Sequence, residues 1–177
     1  MDNSNLFPES APDFSDPLGL LRACHRRIEG HCDTLLKLAD HIESNGVDGE
    51  ARKAAGNIYR YFTRAAPHHH ADEEQDIFPR LVRQSLKLAE TIHALKKQHE
   101  ELDAAWRAVE PYLERPGDIE DAAEFRRLAQ TMSDAYRAHI ETEENDLLEI
   151  ASHILSSDDL KQIGYAMAER RGTRAAF

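Results

Sequence analysis

Apolar residues recur in steps of three and four along most of the chain. The first stretch places Leu21, Ile28, Cys32, Leu35, Ala39 and Ile42 on one stripe, with a single gap of seven. That spacing is the period of an amphipathic helix. Asp16-Pro17 offers an N-cap followed by a first-turn proline, and Ser44-Asn45-Gly46 offers a stop. A second helix is predicted from about Asp48 through Ile58, Phe62 and Ala65 to Ile77 and Leu81. Pro67 lies inside it and Pro79 near its end, which predicts a kink or break at one of them. A third runs from about Leu88 with Ile92, Leu95, Leu102, Trp106, Val109 and Leu113 on one stripe, and Arg115-Pro116-Gly117 ends it. A fourth begins after Asp118 and carries Phe125, Leu128, Met132, Ala135, Leu147, Ile150 and Ile154. Ser156 to Asp159 forms a turn and cap for a short fifth helix ending near Gly172. No stretch alternates with period two. The expected fold class is therefore all-α: an up-down-up-down four-helix bundle with a short C-terminal fifth helix. Its expected divisions are a tail over 1–16, the bundle over 17–155, and a helix over 156–177 packed on or beside the bundle.

Composition narrows the class further. With 177 residues, one domain is expected, and 41% hydrophobic content is enough for a core. Lys and Arg number 22 against 33 Asp and Glu, a net charge of −11. That balance argues against nucleic acid or an anionic membrane as partner, since both want a basic face. No apolar run approaches the ~20 residues of a spanning helix. The first residues, MDNSNLFPESAPDF, hold no apolar stretch of signal-peptide type. Cys24 and Cys32 are the only cysteines. Eight residues apart on one helix, they lie ~12 Å apart along its axis, too far for a disulfide. Unpaired thiols without an export signal make the cytoplasm the expected compartment.

The ten histidines carry the candidate chemistry. The first helix's stripe has a polar member at His25. The third has one at His99 and the fourth one at His139. In the second helix, stepping on from Phe62 and Ala65 leads to His69. Counted from the turn they share, successive members lie about 20 and 20, 17 and 13, and 17 and 22 residues deep, mismatches of one or two helical turns. Four imidazoles are expected to meet near the middle of the bundle. Two have a carboxylate one turn on, in His69-x-x-x-Glu73 and His139-x-x-x-Glu143, so both side chains project from one face. The two segments also match each other. HHADEEQDIF from His69 aligns with HIETEENDLL from His139, a short internal repeat.

Burying two carboxylates in an apolar bundle costs several kcal/mol per charge unless they are compensated. A pair of divalent cations would compensate them. Mixed imidazole and carboxylate ligation suits iron, manganese or zinc, and two carboxylates can bridge two metals.

A lone His on an apolar stripe is more often a satisfied core residue than a ligand. Four at matching depths, two with Glu partners, reverse that balance. His70-x-x-x-Glu74 repeats the spacing of His69 and Glu73, leaving two registers open; the internal repeat favours 69 and 73. In that register Glu74 and Glu144 stand behind the ligands or at the surface. His31 lies one step off its stripe, as a flank or pocket rim. His41, His68, His93 and His153 fall away from the stripes. Trp106, Phe62 and Met132 are core residues that can also line an apolar pocket, and Tyr136 lies within reach of the site. Glu169-Arg170-Arg171 reads as ordinary helix surface.

At this point the chain resembles the hemerythrin-like, HHE cation-binding family. The residues that carry the resemblance are Cys24-His25-Arg26-Arg27-Ile28-Glu29, the run from His69 to Pro79, Gln98 to Leu102, and the run from His139 to Leu148. The resemblance spans about 18–155, and HxxxEExxIFP is its most specific element. It implies a four-helix bundle holding a non-haem diiron centre, with bridging Glu and an oxo or hydroxo group completing the bridge. It also implies binding or sensing of dioxygen, nitric oxide, or redox and iron status. By position, the implied ligands are His25, His69, Glu73, His99, His139 and Glu143. Oxygen-carrying members have a further His four residues after the third-helix His; here that place holds Asp103, so the implied set is four His and two Glu and departs from that of simple reversible oxygen carriers.

Three other readings compete. A diiron oxidase or peroxidase of ferritin-like type wants Glu-x-x-His on two helices, and Glu90-Thr-Ile-His93 is the only instance. A metal-free helical interaction module would use the acidic surface for docking. A mononuclear zinc site does not need two bridging Glu. No output domain is evident, so any signal is expected to pass to a protein partner.

Overall fold

The computed structural model describes residues 12–175. All regular structure among them is helical. α1 spans Pro17–Asn45, capped by the Asp16 carboxylate, which accepts from the Gly19 N–H. It ends at Gly46, whose φ of 75° belongs to the left-handed region that glycine reaches without strain. α2 covers 49–81 and opens on an Asp48 cap. α3 is Leu86–Glu114 with a Ser85 cap. α4 covers 122–154 with an Asp121 cap, after a 3₁₀ turn over Pro116–Asp118. α5 is Ser157–Arg170, started by a reciprocal capping box between Ser156 and Asp159. Such caps are each worth ~1 kcal/mol. The expected tail falls largely on residues outside those described.

The long helices form a ring in which α1 packs on α2 and α4, and α3 packs on the same two. Short connections make neighbours antiparallel, which is the up-down-up-down arrangement the apolar stripes predict. α5 docks against α1 and the lower part of α2. No helix among the described residues is long and apolar enough to cross a membrane.

Both prolines of α2 fall where a helical segment starts. Gly49–Arg64 ends at Ala65, Ala66–Ala71 begins with Pro67 in its first turn, and Phe78–Leu81 takes Pro79 in the same way. Between the last two lies a feature the stripes do not announce, a π-helical turn over Asp72–Ile77. α4 has its counterpart over Glu143–Leu148. The physical reason is a run of four-residue steps. His69, Glu73, Ile77 and Leu81 are all buried, as are His139, Glu143, Leu147 and Ala151. At 100° per residue, three steps of four drift about 120° around an α-helix. A wider turn absorbs that drift and keeps all four residues facing inward. The same rotation corrects the expected end of the α4 stripe. Ile150 is only half-buried and Ile154 is exposed, while Leu148 and Ala151 are buried instead. Leu128 and Ala135 are half-buried, and Ala129, Ser133 and Tyr136 lie deeper.

The apolar core falls into two clusters. One is built from Ile28 to Ile42, Ala51 to Ala66, Leu102 to Leu113 and Phe125 to Ile140. The other gathers Leu18, Leu21, Ile77 to Leu81, Leu88 to Leu95 and Leu147 to Leu155 with Ile163 and Met167 of α5. Every long helix passes from one cluster to the other. At the crossing level each places a buried histidine: His25, His69, His99 and His139.

Candidate metal centre

The six residues expected from the sequence converge on that polar layer. Each is at least 96% buried, and Glu143 is wholly so. Ligand atoms of His25, His69, Glu73 and Glu143 all lie within 4.8 Å of one another, and so do those of Glu73, His99, His139 and Glu143. The two carboxylates belong to both groups. Neither group contains Cys24 or Cys32; Cys32 is buried in the apolar core and both thiols are free.

The inward-facing atoms are without hydrogen-bond partners. They are Nε2 of all four imidazoles and both oxygens of each carboxylate. Nearest approaches are 3.1 Å from His69 Nε2 to Glu73 and 3.1 Å from His25 Nε2 to Glu143. His99 Nε2 stands 3.3 Å from Glu73, and His139 Nε2 3.3 Å from Glu143. Donors bonded ~2.1 Å from one cation and at right angles to it stand about 3 Å apart. Eight buried donors at that spacing, none with a hydrogen-bond partner of good geometry, are the arrangement a metal pair requires. The donor set therefore fits metal cations.

The outer ring nitrogens are held by polar side chains. His25 Nδ1 donates to Glu144 at 2.6 Å, His99 Nδ1 to Glu74 at 2.5 Å, and His139 Nδ1 to Gln98 at 2.9 Å. Each bond turns the Nε2 lone pair inward and makes the ring a better donor. Glu74 and Glu144 thus stand behind these imidazoles, while the Glu73 carboxylate lies in both buried groups. Gln98 enters the sequence analysis only as the first residue of the Gln98 to Leu102 run, because a Gln beside a His carries no signal of its own role. His31 is half-buried and stacks on Tyr61 at 4.0 Å, outside both groups. His93 and Glu90, the one ferritin-like pair, are both exposed.

Charge is nearly balanced before any cation enters. Burial would drive His25 down, but the Glu143 and Glu73 carboxylates beside it overcome this and raise it to about 11. His99 is pushed down by burial and up, more strongly, by Glu73 and Glu74, reaching about 9. Glu73 rises to about 7, from burial and then the neighbouring Glu143 charge. Glu143 is held low, since its imidazole neighbours outweigh the upward push of burial. His69 is driven far down, His139 to about 4 and His70 to about 2, each chiefly by burial.

Arg170 and Arg171 are not ordinary surface. Both bind the Asp72 carboxylate, which is fully buried next to Glu73; Arg171 Nη2 reaches it at 2.6 Å. Arg170 also reaches Asp76 at 2.9 Å. A buried charge on α2 meets its partners only after α5 folds back, which local spacing cannot show.

A cavity of about 480 Å³ reaches the layer between α2, α3 and α4. Phe62, Trp106 and Tyr136 give it apolar walls, Asp103 lies on its rim, and His70 and His99 close its inner end. The rings of Phe62 and Trp106 stack at 5.4 Å. Trp106 is thus half-buried on a pocket wall, while Met132 is packed in the core.

The chain matches the family model of the hemerythrin HHE cation-binding domain over residues 16–151. It is also 34% identical over 166 residues to a protein of Haemophilus influenzae described as uncharacterized, covering 94% of this chain and 96% of that one. With this helical bundle and this layer of His and Glu, the chain belongs to the hemerythrin HHE cation-binding family. Its His and Glu clusters are of a kind that holds metal cations.

Proposed function

We propose that this protein is a non-haem diiron protein that binds or senses a small diatomic molecule, dioxygen or nitric oxide, or reports redox or iron status. The observation that carries this reading is the membership of Glu73 and Glu143 in both ligand groups. A carboxylate has two oxygens and can face one cation with each. His25 and His69 would hold one iron, His99 and His139 the other. Four imidazoles and two carboxylates supply eight donor atoms, short of the roughly twelve that two octahedral cations take. The shortfall leaves room for an oxo or hydroxo bridge and for an added ligand. Two ferrous ions bring four positive charges against two carboxylates, and an anionic bridging oxygen offsets part of the excess.

What the chain itself contributes is orientation and exclusion of water. Glu144, Glu74 and Gln98 fix three imidazoles, and the two apolar clusters above and below shield the layer. The aromatic cavity suits a small uncharged molecule as an approach route. The exposure of Glu90 and His93 takes away the sequence support for a ferritin-like oxidase. Any signal would pass to a protein partner.

The test is metal analysis with an absorption spectrum after anaerobic loading with ferrous iron. Expected are two irons per chain and, after oxidation, a near-ultraviolet band of an oxo-bridged ferric pair that changes with oxygen or nitric oxide. A chain that retains no stoichiometric iron overturns the reading.

A further inference from the structure

Another side of α2 borders a second cavity, of about 320 Å³, shared with α1 and the residue that follows α5. Its walls carry Arg27 from α1, Arg64 and His68 from α2, and Arg171 from just past α5, with Tyr61 and Cys24 beside them. No Asp or Glu lines it. On a chain of net charge −11, three guanidiniums and an imidazole around one small cleft need a physical reason. Arg171 has one, since its guanidinium holds Asp72 and the Met167 carbonyl. Arg27 and Arg64 do not. Neither has an acid three or four residues away on its own helix. Arg27 has Ala23, Cys24, Gly30 and His31 at those places, and Arg64 has Arg60, Tyr61, Pro67 and His68. Arg27 reaches only the Ala23 carbonyl at 3.3 Å and the Cys24 sulfur at 3.6 Å. Among the described residues, no hydrogen bond or ion pair engages the Arg64 side chain. None of the four basic residues belongs to the two buried His and Glu groups.

We propose that this cleft binds a phosphate group, as the free ion or on a small metabolite. Like charges gathered in one cleft repel, and an anion seated among them turns that repulsion into attraction. A guanidinium offers paired N–H donors that match two oxygens of an oxyanion. Arg27 and Arg64 would take the oxygens from two helices, with His68 as a further donor. Three donor groups on two helices suit a tetrahedral anion better than a planar carboxylate, which has only two oxygens to share. Arg171 adds positive field while it stays on Asp72. The volume lies at the lower end of the roughly 300–1,000 Å³ of ligand pockets, which leaves room for a small organic group behind the phosphate.

The test is equilibrium binding of inorganic phosphate and of glycerol phosphate by the full chain in low-salt buffer, as purified and after metal removal with a chelator. Expected is a single saturable site with the same affinity in both forms of the protein. Arg27→Gln and Arg64→Gln should each weaken it at least about tenfold, the loss of a charge-assisted contact. Arg60→Gln removes the same charge one turn from Arg64 but outside the cleft, and should change the affinity less than about twofold. All three arginines are exposed, and circular dichroism checks that each variant folds. Tighter binding of glycerol phosphate identifies a metabolite as the occupant, and tighter binding of inorganic phosphate identifies the free ion. Three results each overturn the proposal. They are no saturable binding of either probe, binding that vanishes with the metal and so belongs to the metal centre, and an equal loss in Arg60→Gln, which would leave only the general field of the surface.

Discussion

The two π-turns share a sequence pattern and a shape, but the protein holds them differently. In α4, the turn over Glu143–Leu148 is a local affair. Thr142, just before Glu143, donates its hydroxyl to the Ala138 carbonyl at 3.0 Å on its own helix. In α2, the residue at the same place in the repeat is Asp72, and its buried carboxylate is gripped by Arg170 and Arg171 from α5. The following glutamates differ less. Glu74 reaches His99 across to α3, and Glu144 reaches His25 across to α1, where Arg22 also meets it at 3.1 Å. The lesson is that a repeat dictates local geometry, here the wide turn that aims His and Glu inward. Which half is rigid depends on what the rest of the chain packs against it.

The sharpest challenge to this pairing is to remove each central carboxylate. Glu73→Ala and Glu143→Ala should each lose both irons, because each carboxylate serves both groups; elemental analysis after anaerobic loading measures it. A variant that retains one full equivalent would show that the halves do not share their carboxylates. Next comes the difference between the turns themselves. Asp72→Ala takes the carboxylate partner from Arg171 and leaves Arg170 with Asp76 alone, and breaking a buried pair costs about 3–5 kcal/mol. The arginines keep some contact with water, so about 2–3 kcal/mol is expected in urea unfolding of the metal-free chain. Thr142→Ala should cost under about 1 kcal/mol. Equal losses would erase the contrast.

The outer carboxylates should then prove similar. Glu74→Ala and Glu144→Ala are each expected to weaken iron binding about 10- to 100-fold, the range for groups that orient a ligand. A much smaller loss for one of them, measured by competition with a chelator, would show that its half is held by something else.

The smallest effect is in pH. At pH 7.5 the metal-free layer carries protons on His25, at about 11, and His99, at about 9. A metal needs both as neutral donors, so loading should release about two protons from these rings, besides any given up by a bridging water. Affinity therefore rises with pH, and its slope falls above pH 9, where only His25 still has a proton to give. A pH-stat titration reads this directly, and release of none would show that the two halves do not each hold a proton.

Much of this was legible from residue spacing. Leu21 to Ile42 and Ile92 to Leu113 keep to steps of three and four, and those helices run as the pattern says. The polar members of the stripes, His25, His69, His99 and His139, meet because equal depth in antiparallel helices is equal height in a bundle. The π-turns escaped a reading at a fixed period of 3.6, although the four-residue steps from His69 to Leu81 and from His139 to Ala151 record them. Arg170 and Arg171 escaped for another reason. A basic pair near a helix end has the same appearance whether it faces water or a buried carboxylate about a hundred residues away. His70 fell between these cases, since its spacing to Glu74 copies that of the ligand pair beside it.

The polar layer also bears on how the chain comes together. His99 and Glu74 are 25 residues apart in sequence, His139 and Gln98 are 41 apart, and His25 and Glu144 are 119 apart. No single hairpin contains either buried group of His and Glu complete. The early stages of folding, when only neighbouring helices have paired, therefore gain little from a metal cation. Ligand that binds only the finished form stabilises it in proportion to the logarithm of concentration over affinity. A bound cation would act here as a seal on the closing step, when the first and last long helices meet, and a chain stopped short of His139 would leave both groups incomplete.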